Sequence, residues 1–218
     1  MPRHHPEDLM LMEYAAGTLG EATALVVATH LALCPACRQA VRLWEAIGGS
    51  LVGELEPAFI SGAVWSRLAA RLDEAEPGEG EEGQQRAPVD HRPWLPRPLR
   101  DHIGGGPDTI AWRWHGRSVA TCPVLASACG QTVRLLRIRA GAAVPAHGHR
   151  GEEGTLVLRG AFSDEYGYYG TGDVVFADAG VTHRPEAGRE EDCICLVVTD
   201  APLRFKGPAG PIFDLLAP

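Results

Sequence analysis

Apolar side chains in the first third of the chain recur with helical spacing, and helix start and stop signals frame each run. Pro6 at a first helical position, Glu7 and Asp8 in the first turn and Gly17 as a stop predict a short helix carrying Leu9, Met12 and Tyr14. Thr18-Leu19-Gly20-Glu21 has the form of a capping box, ahead of a second helix striped by Leu25, Val26, Ala28, Thr29 and Leu33. Cys34 as N-cap and Pro35 open a third helix through Val41, Leu43, Trp44 and Ile47, which Gly48-Gly49 should end. A fourth pattern, Val64, Trp65, Leu68 and Leu72, follows Pro57 and runs into acidic residues.

The texture then changes twice. From Asp73 to Arg92 the chain is rich in Glu, Gly and Pro with almost no apolar content, the composition of a solvated spacer. Trp94 to Leu99 resumes apolar residues in a Pro-restricted, extended form. After Asp108 come short runs that alternate apolar and polar positions, I-A-W-R-W, V-R-L-L-R-I-R, T-L-V-L-R-G-A-F, D-V-V-F-A and C-I-C-L-V-V-T, separated by Gly-rich turns. The expected architecture is two-domain: an all-α helical domain over residues 1–75, an acidic flexible linker over 76–92, an all-β barrel or jelly roll over 93–207, and a tail over 208–218.

Charge and composition narrow the function. A formal net charge of -8 argues against direct nucleic-acid or membrane-surface binding, which needs clustered Lys and Arg. No apolar run approaches the ~20 residues of a bilayer span, and the start lacks the apolar core of a signal peptide, so a soluble, cytoplasmic protein is expected. Six cysteines in such a chain suit metal ligation, burial or redox sensing better than a disulfide framework.

Three short striped helices bury little by themselves, and His30, Cys34 and Cys37 offer something else to hold them. Their H-x3-C-x2-C spacing sets an imidazole near the end of one helix and two thiols at the start of the next, where the helix dipole favours the thiolate that zinc requires. A closed tetrahedral site needs a fourth ligand, and His5 is the best candidate, with His4 beside it as the alternative. A structural Zn2+ is the expected cofactor here. The rival reading of Cys34-Pro35-Ala36-Cys37, a thioredoxin-like redox pair, wants a preceding β-strand where a helix is predicted.

A second donor set lies in the β-rich part. His147 and His149, one residue apart, point to the same face of an extended strand, and Glu153 follows a short turn. His183, in a similar strand-and-turn setting, would complete a His3Glu set suited to Zn2+ or another divalent metal. Glu152 points the other way on an extended path. Cys193 and Cys195 share a strand face, either as buried thiols or as redox-active neighbours of that metal.

Gly141 to Gly160 matches the first cupin motif, G-x5-H-x-H-x3-E-x6-G, at every defined position. Gly172 to His183 resembles the second, with Asp178 where the family often has Pro and Ala187 where it often has Asn. A cupin preceded by H-x24-H-x3-C-x2-C resembles the ChrR family of zinc anti-sigma factors, through His4-His5, A-A-G-T-L, L-V-V-A-T-H-L-A-L-C, H-G-H-R-G and D-C-I-C-L. That resemblance implies zinc on His5, His30, Cys34 and Cys37 and a second metal on His147, His149, Glu153 and His183. It also implies an extracytoplasmic-function (ECF) sigma factor as partner, released when the cell meets singlet oxygen or organic peroxide. The reading of a different class is a cupin metalloenzyme, a dioxygenase or isomerase, with an accessory zinc domain.

Overall fold

The computed structural model describes residues 1–74, 94–128, 130–201 and 203–205. The expected linker 76–92, the tail 208–218 and Cys129 lie outside them. The chain divides into two compact units, residues 1–46 with 94–218, and residues 47–93.

Helices α1 (Asp8–Ala16), α2 (Glu21–Leu33), α3 (Pro35–Gly53) and α4 (Gly62–Glu74) match the four predicted patterns, with differences at their ends. Glu7 is the N-cap of α1, so Pro6 precedes the helix. The capping box at Thr18 does not form: Gly17 takes the left-handed conformation, and both the backbone N–H and the hydroxyl of Thr18 turn back to the carbonyl of Glu13. Gly20 then caps α2. Helix α3 continues through Gly48-Gly49 to Gly53, because glycine lowers helix propensity without blocking the hydrogen-bond ladder. The stretch expected to be extended around Trp94–Leu99 instead enters helix α5 (Arg97–Ile103), whose Pro98 lies in the first turn, where a missing N–H costs nothing.

The β-rich part follows as β1 (Arg113–His115), β2 (Val119–Ala126), β3 (Thr132–Ile138), β4 (His147–Gly148), β5 (Glu153–Arg159), β6 (Ala161–Ser163), β7 (Tyr168–Gly170), β8 (Val174–Ala177), β9 (Thr182–His183), β10 (Glu186–Ala187), β11 (Cys193–Thr199) and β12 (Arg204–Phe205). A six-stranded antiparallel sheet runs β1-β2-β3-β11-β5-β8, with smaller sheets β10-β6-β7 and β12-β4-β9. An all-α front segment and an all-β cupin-type back segment are thus both present.

The large sheet is apolar on both faces, which is why β11 reads as an unbroken apolar run and is buried at all seven positions. On one face Val133, Leu135, Leu156, Leu196 and Val198 pack with Ala22, Leu25 and Val26 of α2 and with Leu95 and Leu99. On the other, Ile138, Val157, Cys193, Cys195 and Val197 meet Val144, Phe162 and Tyr169 inside the barrel. Helix α2 carries a second apolar edge, Val27 and Leu31, which packs with Leu11, Cys34, Cys37 and Val41. One helix therefore joins the sheet to the neighbouring helices. Fully burying each Leu or Val is worth about 1.5–3 kcal/mol.

Candidate metal centres

Helix α2 ends at Cys34, whose N–H donates to the His30 carbonyl at 2.8 Å and whose carbonyl accepts from the Arg38 N–H at 3.2 Å, starting α3. This tight junction brings His30, Cys34 and Cys37 to one point. His5 Nδ1 lies 3.5 Å from Cys34 Sγ and 3.3 Å from Cys37 Sγ, and His30 Nε2 lies 3.3 Å from Cys37 Sγ. All four donor atoms fall within 4.8 Å of one another, and only His5 is exposed. His4 goes elsewhere: its ring faces Asp173 at 3.4 Å and packs on Tyr169.

The chemistry of this set fits a soft divalent cation. His30 Nδ1 sits 2.9 Å from the Gly172 carbonyl, which can only accept, so Nδ1 carries the proton and Nε2 presents its lone pair to the cluster. Burial lowers the His30 pKa to about 4, keeping the ring neutral. Burial and the neighbouring Cys34 push the Cys37 thiol up to about 12. A cation entering here would have to displace that proton, after which its charge would hold the thiolate.

The second cluster forms where β4, β5 and β9 converge. His147 pairs with His183 across the β4–β9 ladder, and His149 and Glu153 arrive from the following turn. The four donor atoms again lie within 4.8 Å of one another, and all four residues are buried. His147 Nδ1 donates to the Pro145 carbonyl at 2.9 Å, and His183 Nδ1 faces the Asp164 carboxylate at 2.9 Å. Both Nε2 atoms therefore present lone pairs, and they stand 3.1 Å apart. Two acceptors at that distance repel unless a cation lies between them. Among the described residues, neither ring nitrogen of buried His149 has a hydrogen-bond partner, although its Nδ1 is 3.6 Å from a Glu153 oxygen. An orphaned buried imidazole costs stability unless a ligand uses it. Burial lowers the His147 and His149 pKa values to about 4. It raises that of Glu153, against the opposing charges of His183 and Arg134 and the Thr155 hydroxyl.

The two clusters bring together His5, His30, Cys34 and Cys37, and His147, His149, Glu153 and His183, while His4, the alternative to His5, is in neither. Residues that orient the ligands escaped notice. Asp164, anchored by the Tyr166 and Gly167 N–H groups at 2.9 and 3.1 Å, fixes the His183 ring. Asp173 accepts the backbone N–H groups of Arg3, His4 and Gly170 and so tethers the segment leading to His5. The D-E-Y-G and G-D-V turns around them signal only local Asx turns; the distant partners have no sequence signature. Cys193 and Cys195 are both buried, with Sγ atoms 3.6 Å apart inside the barrel. The hydrogen bond with the Cys193 thiol and burial raise the Cys195 pKa, so its thiol stays protonated.

Comparison with known proteins agrees with this arrangement. Residues 8–38 match a zinc-finger family, and residues 101–202 match the ChrR cupin-like domain family. The anti-sigma-E factor ChrR of Cereibacter sphaeroides is 46% identical over 204 residues, covering 93% of this chain and 92% of that protein. A crystal structure of Rhodobacter sphaeroides SigE in complex with the anti-sigma ChrR superposes with a TM-score of 0.79 at 43% identity, covering 92% of this chain and 100% of that chain. With likeness at this level along nearly its whole length, the chain belongs to the ChrR family of anti-sigma factors.

Proposed function

We propose that this chain is a cytoplasmic regulator, not an enzyme, that binds an ECF-type sigma factor and releases it under oxidative stress, from singlet oxygen or organic peroxide. Residues 1–75 carry the sigma-binding output and residues 93–207 the sensing input. Zn2+ held by His5, His30, Cys34 and Cys37 stabilises the helices. A second divalent ion, Zn2+ by preference, is held by His147, His149, Glu153 and His183, where it supplies a charged centre that an oxidant can perturb through its ligands.

The observation that carries the reading is an apolar face that the described residues leave exposed. On α4, Val64, Trp65, Leu68 and Leu72 recur at helical spacing and are 45, 64, 47 and 67% exposed. Leu43, Ile47 and Leu51 repeat the pattern on α3, and Phe59 and Ile60 stand in the connection between the helices. Exposed apolar surface of this kind marks a protein-binding face, and the solved relative ChrR was crystallised in complex with SigE.

A short path links the two clusters. Glu153 opens β5, which pairs with β8 from Glu153↔Ala177 to Leu156↔Val174. The Val174 N–H donates to the His4 carbonyl, next to His5. Strain at Glu153 thus reaches the first cluster through one strand pair.

Co-purification of the full chain with the ECF sigma factors of its own cell tests the binding. Trp65→Ser and Leu68→Asp should each abolish capture while leaving metal content and thermal stability unchanged, since both side chains are exposed. Capture by these variants equal to that of the parent would reject α4 as the sigma-binding face.

A further inference from the structure

The barrel holds a partly open cavity of about 110 Å³ with His147, Glu153 and His183 of the second cluster in its lining, and a further charged side chain stands in its wall. Along β3 the inward positions are Arg134, Leu136 and Ile138, and all three line the cavity with Val197, Thr199 and Leu203. Strand alternation makes Arg134 the one that should have been apolar: its neighbours Val133 and Leu135 belong to the opposite face, under α2. A guanidinium has been built into the inner wall.

Arg134 is held in place without being neutralised. One of its terminal nitrogens donates to the hydroxyls of Thr199 and Thr132, at 3.1 and 3.3 Å, and these hydroxyls bond each other at 3.1 Å. Among the described residues it forms no ion pair, whereas Arg137 and Arg159 pair directly with Asp192 and Glu191. The opposing charge that acts on it at a distance is Glu153, part of the metal cluster. Burial lowers its pKa from the ordinary value, the mark of a cation held where water is thin. Guanidinium groups in such positions bind planar, two-oxygen anions through paired N–H donors.

We propose that the barrel cavity is a binding site for a small monocarboxylate with an apolar body, its carboxylate on Arg134 and its body against Leu136, Ile138 and Val197. One guanidinium balances one negative charge, so a phosphate dianion, facing Glu153 as well, fits less well. A neutral ligand leaves the cation unpaired. This site is separate from the sigma-binding face, and its occupancy does not depend on which partner α4 takes.

The test uses the full-length, metal-loaded protein titrated calorimetrically with butanoate, hexanoate and octanoate, and with hexan-1-ol as the uncharged counterpart. At least one acid should bind, with hexan-1-ol weaker than hexanoate by roughly tenfold or more, the scale of a charge-assisted hydrogen-bonded pair. Arg134→Met should lose hexanoate affinity by a similar factor while keeping its metal content. Failure of all three acids to bind overturns the proposal. So does undiminished hexanoate binding by Arg134→Met, which would place the carboxylate on the metal. If that variant does not fold, phenylglyoxal modification of the parent protein decides. Hexanoate should slow modification of Arg134 relative to exposed Arg97, and equal rates would overturn the site.

Discussion

His30 donates its Nδ1 proton to the carbonyl oxygen of Gly172, 2.9 Å away and 142 residues along the chain. The same imidazole turns its other nitrogen to Cys37. A turn of the β-barrel therefore sets the tautomer of a residue in the helical cluster, and the geometry of each depends on the other.

Gly172 should be intolerant of a side chain. Its φ of +93° lies in the left-handed region, and an added Cβ would stand 2.7 Å from Pro2 Cγ. Gly172→Ala should cost about 1–2 kcal/mol from backbone conformation alone, plus whatever the displaced N-terminal segment loses. Gly104→Ala, at φ +75° with nothing within 4 Å of the new Cβ, provides the control for the conformational part. Chemical denaturation of both variants should show the larger loss at position 172, accompanied by weaker metal retention in the His5 cluster.

Asp173 gives a pH-dependent contribution. Burial by itself would raise its pKa, but hydrogen bonds from the backbone N–H groups of His4, Arg3 and Gly170 outweigh it and hold the carboxyl below its ordinary value of 3.8. A folded pKa lower than the unfolded one means that the unfolded chain binds the proton first. The stability from Asp173 is then complete above pH 3.8 and lost as pH falls through the depressed value. Asp173→Ala should cost about 1–3 kcal/mol at neutral pH. The difference from the parent protein should shrink in acid denaturation curves once the pH drops below that range.

Asp164→Asn should loosen the second metal without touching it directly. The substitution weakens the hold on His183 Nδ1, and loss of such an orienting carboxylate typically lowers metal affinity by about 10–100-fold. Competition against a chromophoric chelator measures this, and the first cluster should be unaffected.

Cys37→Ser should remove one metal and leave the other. Elemental analysis of the parent should give two ions per chain, and the variant one. The thermal transition should fall sharply, because structural zinc contributes about 10–16 kcal/mol in small zinc-binding peptides.

The ligand sets were legible because each is mostly local. His147 lies in β4 and His149 just past its end, and His30, Cys34 and Cys37 straddle one helix junction, so spacing alone brought them together. His5 was preferred to His4 from the sequence, but the physical reason for the difference lies in the fold, where Asp173 draws the His4 ring away. The helical stripe of α2 was legible too, but not what it covers. Leu25 and Val26 meet Leu196 and Val198 across some 170 positions, a pairing that no local pattern encodes. Arg134 was hidden for the opposite reason: in V-R-L-L-R-I-R it looks like any solvent-facing position of an alternating strand, and only barrel closure turns that side inward.

Strand β11 lies between β3 and β5, with Leu196 and Val198 against α2 and Cys195 and Val197 facing the cavity. The strand is a wall one residue thick: packing on the cavity side, at Cys195 and Val197, and packing under the helix, at Leu196 and Val198, alternate along a single backbone, so neither side can be repacked without reaching the other.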